Sequence, residues 1–89
     1  MARRYTTLEM LERLIAFNTI SSRSNLPIID FIEAYLNDWG IAAHRTVSAE
    51  GDKSNLWATL GPQELAGGVV LSGHTDVVPV ADQAWNSDP

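Results

Sequence analysis

Leu8, Leu11, Leu14 and Ile15 recur at intervals of three and four residues, with Glu9, Glu12 and Arg13 falling mainly on the other side. That period lines up apolar side chains on one stripe of a helix. Thr6-Thr7-Leu8-Glu9 precedes the stripe with the spacing of a capping box, in which Thr6 accepts from an exposed helix N–H and Glu9 reaches back. The pattern predicts an amphipathic helix over roughly residues 7–17. Asn18-Thr19-Ile20-Ser21-Ser22-Arg23-Ser24-Asn25 is rich in side chains that compete for backbone hydrogen bonds, so it breaks this helix and can cap another. Pro27 suits a first helical turn, and Ile28, Ile32, Tyr35, Leu36 and Trp39 continue at helical spacing up to Gly40, a natural C-terminal stop.

From Ile41 the period shortens. Residues 41–47 and 55–60 are mixed apolar and polar stretches around the turn-forming Glu50-Gly51-Asp52, which predicts two strands joined as a hairpin. Gly61-Pro62 ends the second. Gly67-Gly68 then introduces Val69-Val70-Leu71-Ser72, apolar enough to be covered on both faces and therefore the expected central strand. The elements together predict an α/β fold of two helices, a β-hairpin and a central strand. No internal repeat, low-complexity tract or interdomain linker interrupts it.

A chain of 89 residues suffices for one small domain, and 45% hydrophobic with 19% charged residues is the composition of a packed globular protein. The net charge of −5 repels phosphate backbones and anionic lipid, which argues against nucleic-acid and membrane partners. Without cysteine there are no disulfides, thiolate metal sites or thiol nucleophiles, so any metal must be held by His, Asp or Glu. Arg3 and Arg4 are followed by Thr6, Thr7, Glu9 and Glu12 where an export signal needs a continuous apolar run, and no stretch approaches the ~20 apolar residues of a membrane span. A cytoplasmic protein is expected.

The chemistry concentrates directly after the expected central strand, in Ser72-Gly73-His74-Thr75-Asp76-Val77-Val78-Pro79. Ligands in open α/β sheets collect at the C-terminal ends of strands. Two residues apart on an extended backbone, His74 and Asp76 point the same way and can serve one site. A neutral imidazole is a zinc ligand, and its second ring nitrogen usually donates to a carboxylate that fixes the tautomer. That makes His74 the candidate metal ligand and Asp76 its supporting carboxylate. Gly73 removes a side chain beside the ligand and Pro79 stiffens the exit.

An apolar strand running into this string resembles the first signature of the M20 family of co-catalytic zinc hydrolases. The two leading helices, the Asn55–Leu60 stretch and the Trp85-Asn86-Ser87-Asp88-Pro89 ending are similar in order and spacing to the branch that deacetylates N-acetylornithine, so the resemblance covers nearly the whole chain. It implies that residues 1–89 are an N-terminal piece of a mixed-sheet catalytic domain, without the family's lid and dimerisation domain. It further implies that His74 binds one of two Zn2+ ions in a complete site, with Co2+ able to substitute, and that Asp76 is the catalytic-site carboxylate. The expected substrate is an N-acyl amino acid, first N-acetylornithine, cleaved to ornithine and acetate in arginine biosynthesis by a full-length homodimer. The remaining ligands and the general base match nothing in residues 1–89, so these residues alone are expected to be inactive.

Succinyl-diaminopimelate or a peptide are alternative substrates within the family, and a small non-catalytic α/β binding module is the alternative outside it. His44, in a strand beside Arg45 with no carboxylate at ligand spacing, reads as edge polarity. Trp39 and Trp57 lie on periodic apolar positions and are expected in the core. Asp30, Glu33 and Asp38 lack a Gly-centred loop of alternating oxygen ligands and read as a solvated helix face. Ser72 lacks the Gly-x-Ser-x-Gly elbow of a nucleophile.

Overall fold

Residues 2–89 are described by a computed structural model. In chain order it contains α1 (Thr7–Ile15), α2 (Leu26–Asp38), β1 (Ala43–Val47) and β2 (Ser54–Ala58). Thr6 caps α1 from an extended conformation: its Oγ1 accepts from the Glu9 N–H at 3.2 Å and donates to Glu9 Oε1 at 3.1 Å. The threonine half of the box forms, while the glutamate meets the threonine hydroxyl in place of the Thr6 N–H. At the other end the Phe17 N–H turns back to the Leu14 carbonyl at 3.3 Å, and regular helix stops at Ile15.

The Asn25 side chain makes no cap bond to α2. Ser24 Oγ accepts from the Leu26 N–H at 3.1 Å instead, and Asn25 is spent on the hairpin: Oδ1 accepts from the Ser54 N–H and Nδ2 donates to the Ser54 carbonyl, both at 2.9 Å. One amide side chain thus completes the backbone bonding of a residue that is 3% exposed. After Asp38 the chain leaves the helix through Gly40 at φ +74°, the left-handed conformation expected there.

β1 and β2 pair antiparallel in the register Ala43↔Ala58, Arg45↔Leu56 and Val47↔Ser54. Gly51, at φ +79°, supplies the positive φ of the connecting turn. Ser48 closes it by accepting from the Lys53 N–H at 3.2 Å and donating to Asp52 Oδ1 at 3.2 Å. α2 lies against both strands, and its Ile28 and Ile29 form the buried core. Arg45 on β1 ties the layers together, donating to Asp30 at 2.6 Å and to both carboxylate oxygens of Glu33 at 2.9 and 3.2 Å. Asp30 and Glu33 are therefore ion-paired across the layer, while Asp30 and Asp38 stay on the exposed face expected for them.

Aromatic rings flanking α1 hold it to α2. Tyr5 sits 5.9 Å from Phe31 and 5.4 Å from Tyr35 between centroids, and Phe17 sits 5.6 Å from Phe31. The Arg13 guanidinium lies 4.9 Å above the Phe31 ring. The apolar stripe of α1 takes little part in this: Leu8, Leu11 and Ile15 are all exposed.

Three expectations are corrected. Val69–Ser72 forms no strand, and Val69 and Leu71 are 88% and 93% exposed. A central strand exists only when neighbours satisfy its backbone on both edges, and no described segment pairs with this one. Trp39 and Trp57 are half exposed and outside the core. Trp39 uses its indole N–H on the Arg3 carbonyl at 3.3 Å, and Trp57 faces exposed His44 across the hairpin. Periodicity gave both an apolar position, but the described residues cover only about half of each ring.

Candidate metal-binding site

The segment carrying His74 and Asp76 is pinned to the loop between α1 and α2. Val77 donates its N–H to the Thr19 carbonyl, and the Ser21 N–H donates to the Val77 carbonyl, both at 3.0 Å. These form an isolated parallel bridge between Ile20 and Val77. Lys53, from the hairpin turn, donates its Nζ to the Ser21 carbonyl. Asn25 adds a longer contact of 3.4 Å from Nδ2 to Thr75 Oγ1. Three residues of one loop, Thr19, Ser21 and Asn25, thus hold residues 75–77, and Lys53 of the hairpin turn braces that loop at Ser21.

Within this frame His74 and Asp76 touch. The imidazole Nδ1 lies 3.0 Å from Asp76 Oδ1 and 2.9 Å from the Asp76 carbonyl oxygen. Both partners are acceptors, so Nδ1 carries the proton and a neutral ring keeps its Nε2 lone pair free. The other carboxylate oxygen, Oδ2, accepts from the Ser21 hydroxyl at 2.7 Å. That hydroxyl is the largest cause holding the Asp76 carboxyl below the usual carboxylate range; desolvation, the next largest, opposes it, and His74 reinforces it. The His74 side chain is 84% exposed, so the free nitrogen is accessible from solvent.

The pair lines a groove of about 820 Å³ shared with Ile29 and Leu36 of α2 and Leu56 of β2. A Cβ on Gly73 would meet open space among the described residues. Among the described residues no cluster of three or more His, Asp or Glu side chains could enclose a metal ion. His44 stands apart on β1.

Nothing local in the sequence marks Ser21, Asn25 and Lys53 as site residues. They lie in the loop read as a helix breaker and in the hairpin turn, where hydroxyl, amide and amine side chains are ordinary. Their one distinctive signal is long-range contact, which local periodicity does not carry.

Comparison with curated proteins gives this geometry a context. The chain is 39% identical over 90 residues to acetylornithine deacetylase of Pasteurella multocida, a match covering 92% of this chain and 23% of that protein. Against the enzymes of the same name from Vibrio parahaemolyticus and Buchnera aphidicola the identity is 33%, over 94% and 92% of this chain and again 23% of each relative. No family model and no solved structure matches the chain. In sequence, the chain is similar to one stretch of longer deacetylases, consistent with a fragment of an M20 enzyme. The relatives that show this are acetylornithine deacetylases, and the chain spans about a quarter of their length.

Proposed function

We propose that this chain supplies the His74–Asp76 corner of the dinuclear metal site of an amide hydrolase acting on N-acyl amino acids, with N-acetylornithine as first substrate. The supporting observation is the contact between His74 Nδ1 and Asp76, which leaves Nε2 as a free donor on an exposed, oriented ring. Imidazole nitrogen suits zinc, and a carboxylate on the opposite ring nitrogen is the usual support of a zinc-bound histidine. The donor set fits as far as it goes. His74 would hold the ion through Nε2, and Asp76 would keep the ring in the required tautomer. When bound, zinc supplies Lewis acidity towards a carbonyl oxygen and towards water.

Catalytic zinc sites take about three protein ligands, and His74 offers one. The rest of the site, together with the proton acceptor for water, comes in this reading from polypeptide outside residues 1–89. These residues by themselves hold zinc weakly and do not turn over substrate. The names of the relatives favour N-acetylornithine over N-succinyl-diaminopimelate or a peptide.

The open edges of β1 and β2 fit the competing reading, a non-catalytic binding module, but such a module has no need of a bonded His74–Asp76 pair. The deciding experiment offers N-acetylornithine and N-succinyl-diaminopimelate in parallel to the zinc- or cobalt-loaded polypeptide that carries this segment. The expected result is cleavage of the acetyl compound, abolished in His74→Ala. Undiminished hydrolysis in that variant removes the metal assignment, and preference for the succinyl compound removes the substrate.

A further inference from the structure

Ser21 stands 55 positions before the carboxylate it touches, in a loop whose sequence shows nothing beyond helix-breaking polarity. Its backbone has little freedom. The N–H is bonded to the Val77 carbonyl, the nearby Thr19 carbonyl accepts from the Val77 N–H, and the Ser21 carbonyl accepts from Lys53. With the main chain fixed beside Val77, the short side chain reaches Asp76, the next residue along.

The single hydroxyl proton has two acceptors within reach, Asp76 Oδ2 at 2.7 Å and the Val77 carbonyl at 3.3 Å. The shorter bond, to a charged acceptor, takes it. Asp76 is then held at both ends, with Oδ2 on Ser21 and Oδ1 on His74, and rotation of the carboxylate would break one bond or both. We infer that Ser21 is a positioning residue, whose hydroxyl locks the Asp76 carboxylate so that Asp76 in turn sets the His74 ring and its free Nε2. The competing account is that the Asp76 backbone carbonyl, 2.9 Å from Nδ1, fixes the ring without help from Ser21.

The two accounts separate in the 15N-labelled 89-residue chain, read at one alkaline pH where the imidazole is neutral. Two-bond proton–nitrogen correlations of His74 report which ring nitrogen carries the proton. The expected result is the Nδ1–H form in the native chain and a mixture of tautomers in Ser21→Ala. Zinc affinity, followed on the same ring resonances, should fall about tenfold in that variant, the low end of the loss seen when support of a metal-binding histidine is removed. Ser21→Thr should restore both readouts. Ser21→Val, with the shape of threonine and no hydroxyl, should not, and this pair keeps the test valid if the alanine variant loosens the loop. An unchanged tautomer and unchanged affinity in Ser21→Ala and Ser21→Val overturn the inference. It rests on the proposed function only for the zinc readout. A tautomer shift in a chain that binds no zinc therefore upholds Ser21 and removes the metal reading.

Discussion

The α2–hairpin unit and the segment from Leu60 to Val78 contain similar apolar residues and meet opposite fates. In the first, Ile28 and Ile29 are buried, Arg45 bridges two carboxylates, and Asn25 completes the bonding of Ser54. In the second, Leu60, Leu65, Val69, Val70, Leu71 and Val78 all face solvent. The difference is one of partners, not of hydrophobicity. A helix stripe against a hairpin can be closed by neighbours in sequence, whereas a strand covered on both faces needs elements brought from elsewhere. The exception in the second region is residues 75–77, held by three distant hydrogen-bonding partners, and the candidate chemistry sits there.

Substitutions sharpen this contrast. The largest effect is expected for Ile29→Ala. The residue is 3% exposed, and truncating it should cost about 2–5 kcal/mol, enough to abolish the cooperative transition of so small a core in denaturant unfolding. Asn25→Ala removes both bonds to Ser54 and leaves a buried N–H unpaired, a loss of about 1–3 kcal/mol read in the same experiment. Thr6→Ala deletes the α1 cap and should lower stability by about 1 kcal/mol, with reduced helical circular dichroism. Leu71→Ser, at a residue 93% exposed, should stay within about 0.5 kcal/mol of the native chain. A larger loss there would show that the two regions do not differ as described.

The acid limb gives a further contrast at the site. Because Ser21 and His74 hold the Asp76 carboxyl below its ordinary value, the folded state binds this proton less readily than the unfolded chain. The stabilisation is complete above the unfolded carboxylate value of ~3.9 and is lost as pH falls through the lower folded value. Stability measured from pH 6 downwards should therefore decline less steeply in Asp76→Asn below pH 4. Identical acid limbs would break the link between this carboxylate and the fold.

Much of the local structure was legible. The Thr6 cap, the helix stop at Gly40 and the turn at Gly51 each follow from the conformational demands of one or two residues, and each is found where expected. The approach of His74 to Asp76 was legible from their two-residue spacing. Burial was less so, because Trp57 and Leu11 occupy apolar positions of sound period and yet stay about half exposed. Ser21 was invisible, since a hydroxyl in a polar loop carries no mark of the carboxylate it will meet.

By itself, the sequence determined the type of each helix and hairpin strand, the turns between them and the residues bearing candidate chemistry, because these depend on backbone preferences and on spacings of a few residues. Tertiary structure alone decided which apolar faces are covered, that Arg45 pairs with Asp30 and Glu33, and that Ser21 and Lys53 fix the site. Those outcomes depend on groups far apart in the chain arriving at the same place, and a hydrogen bond or a buried contact exists only when both partners do.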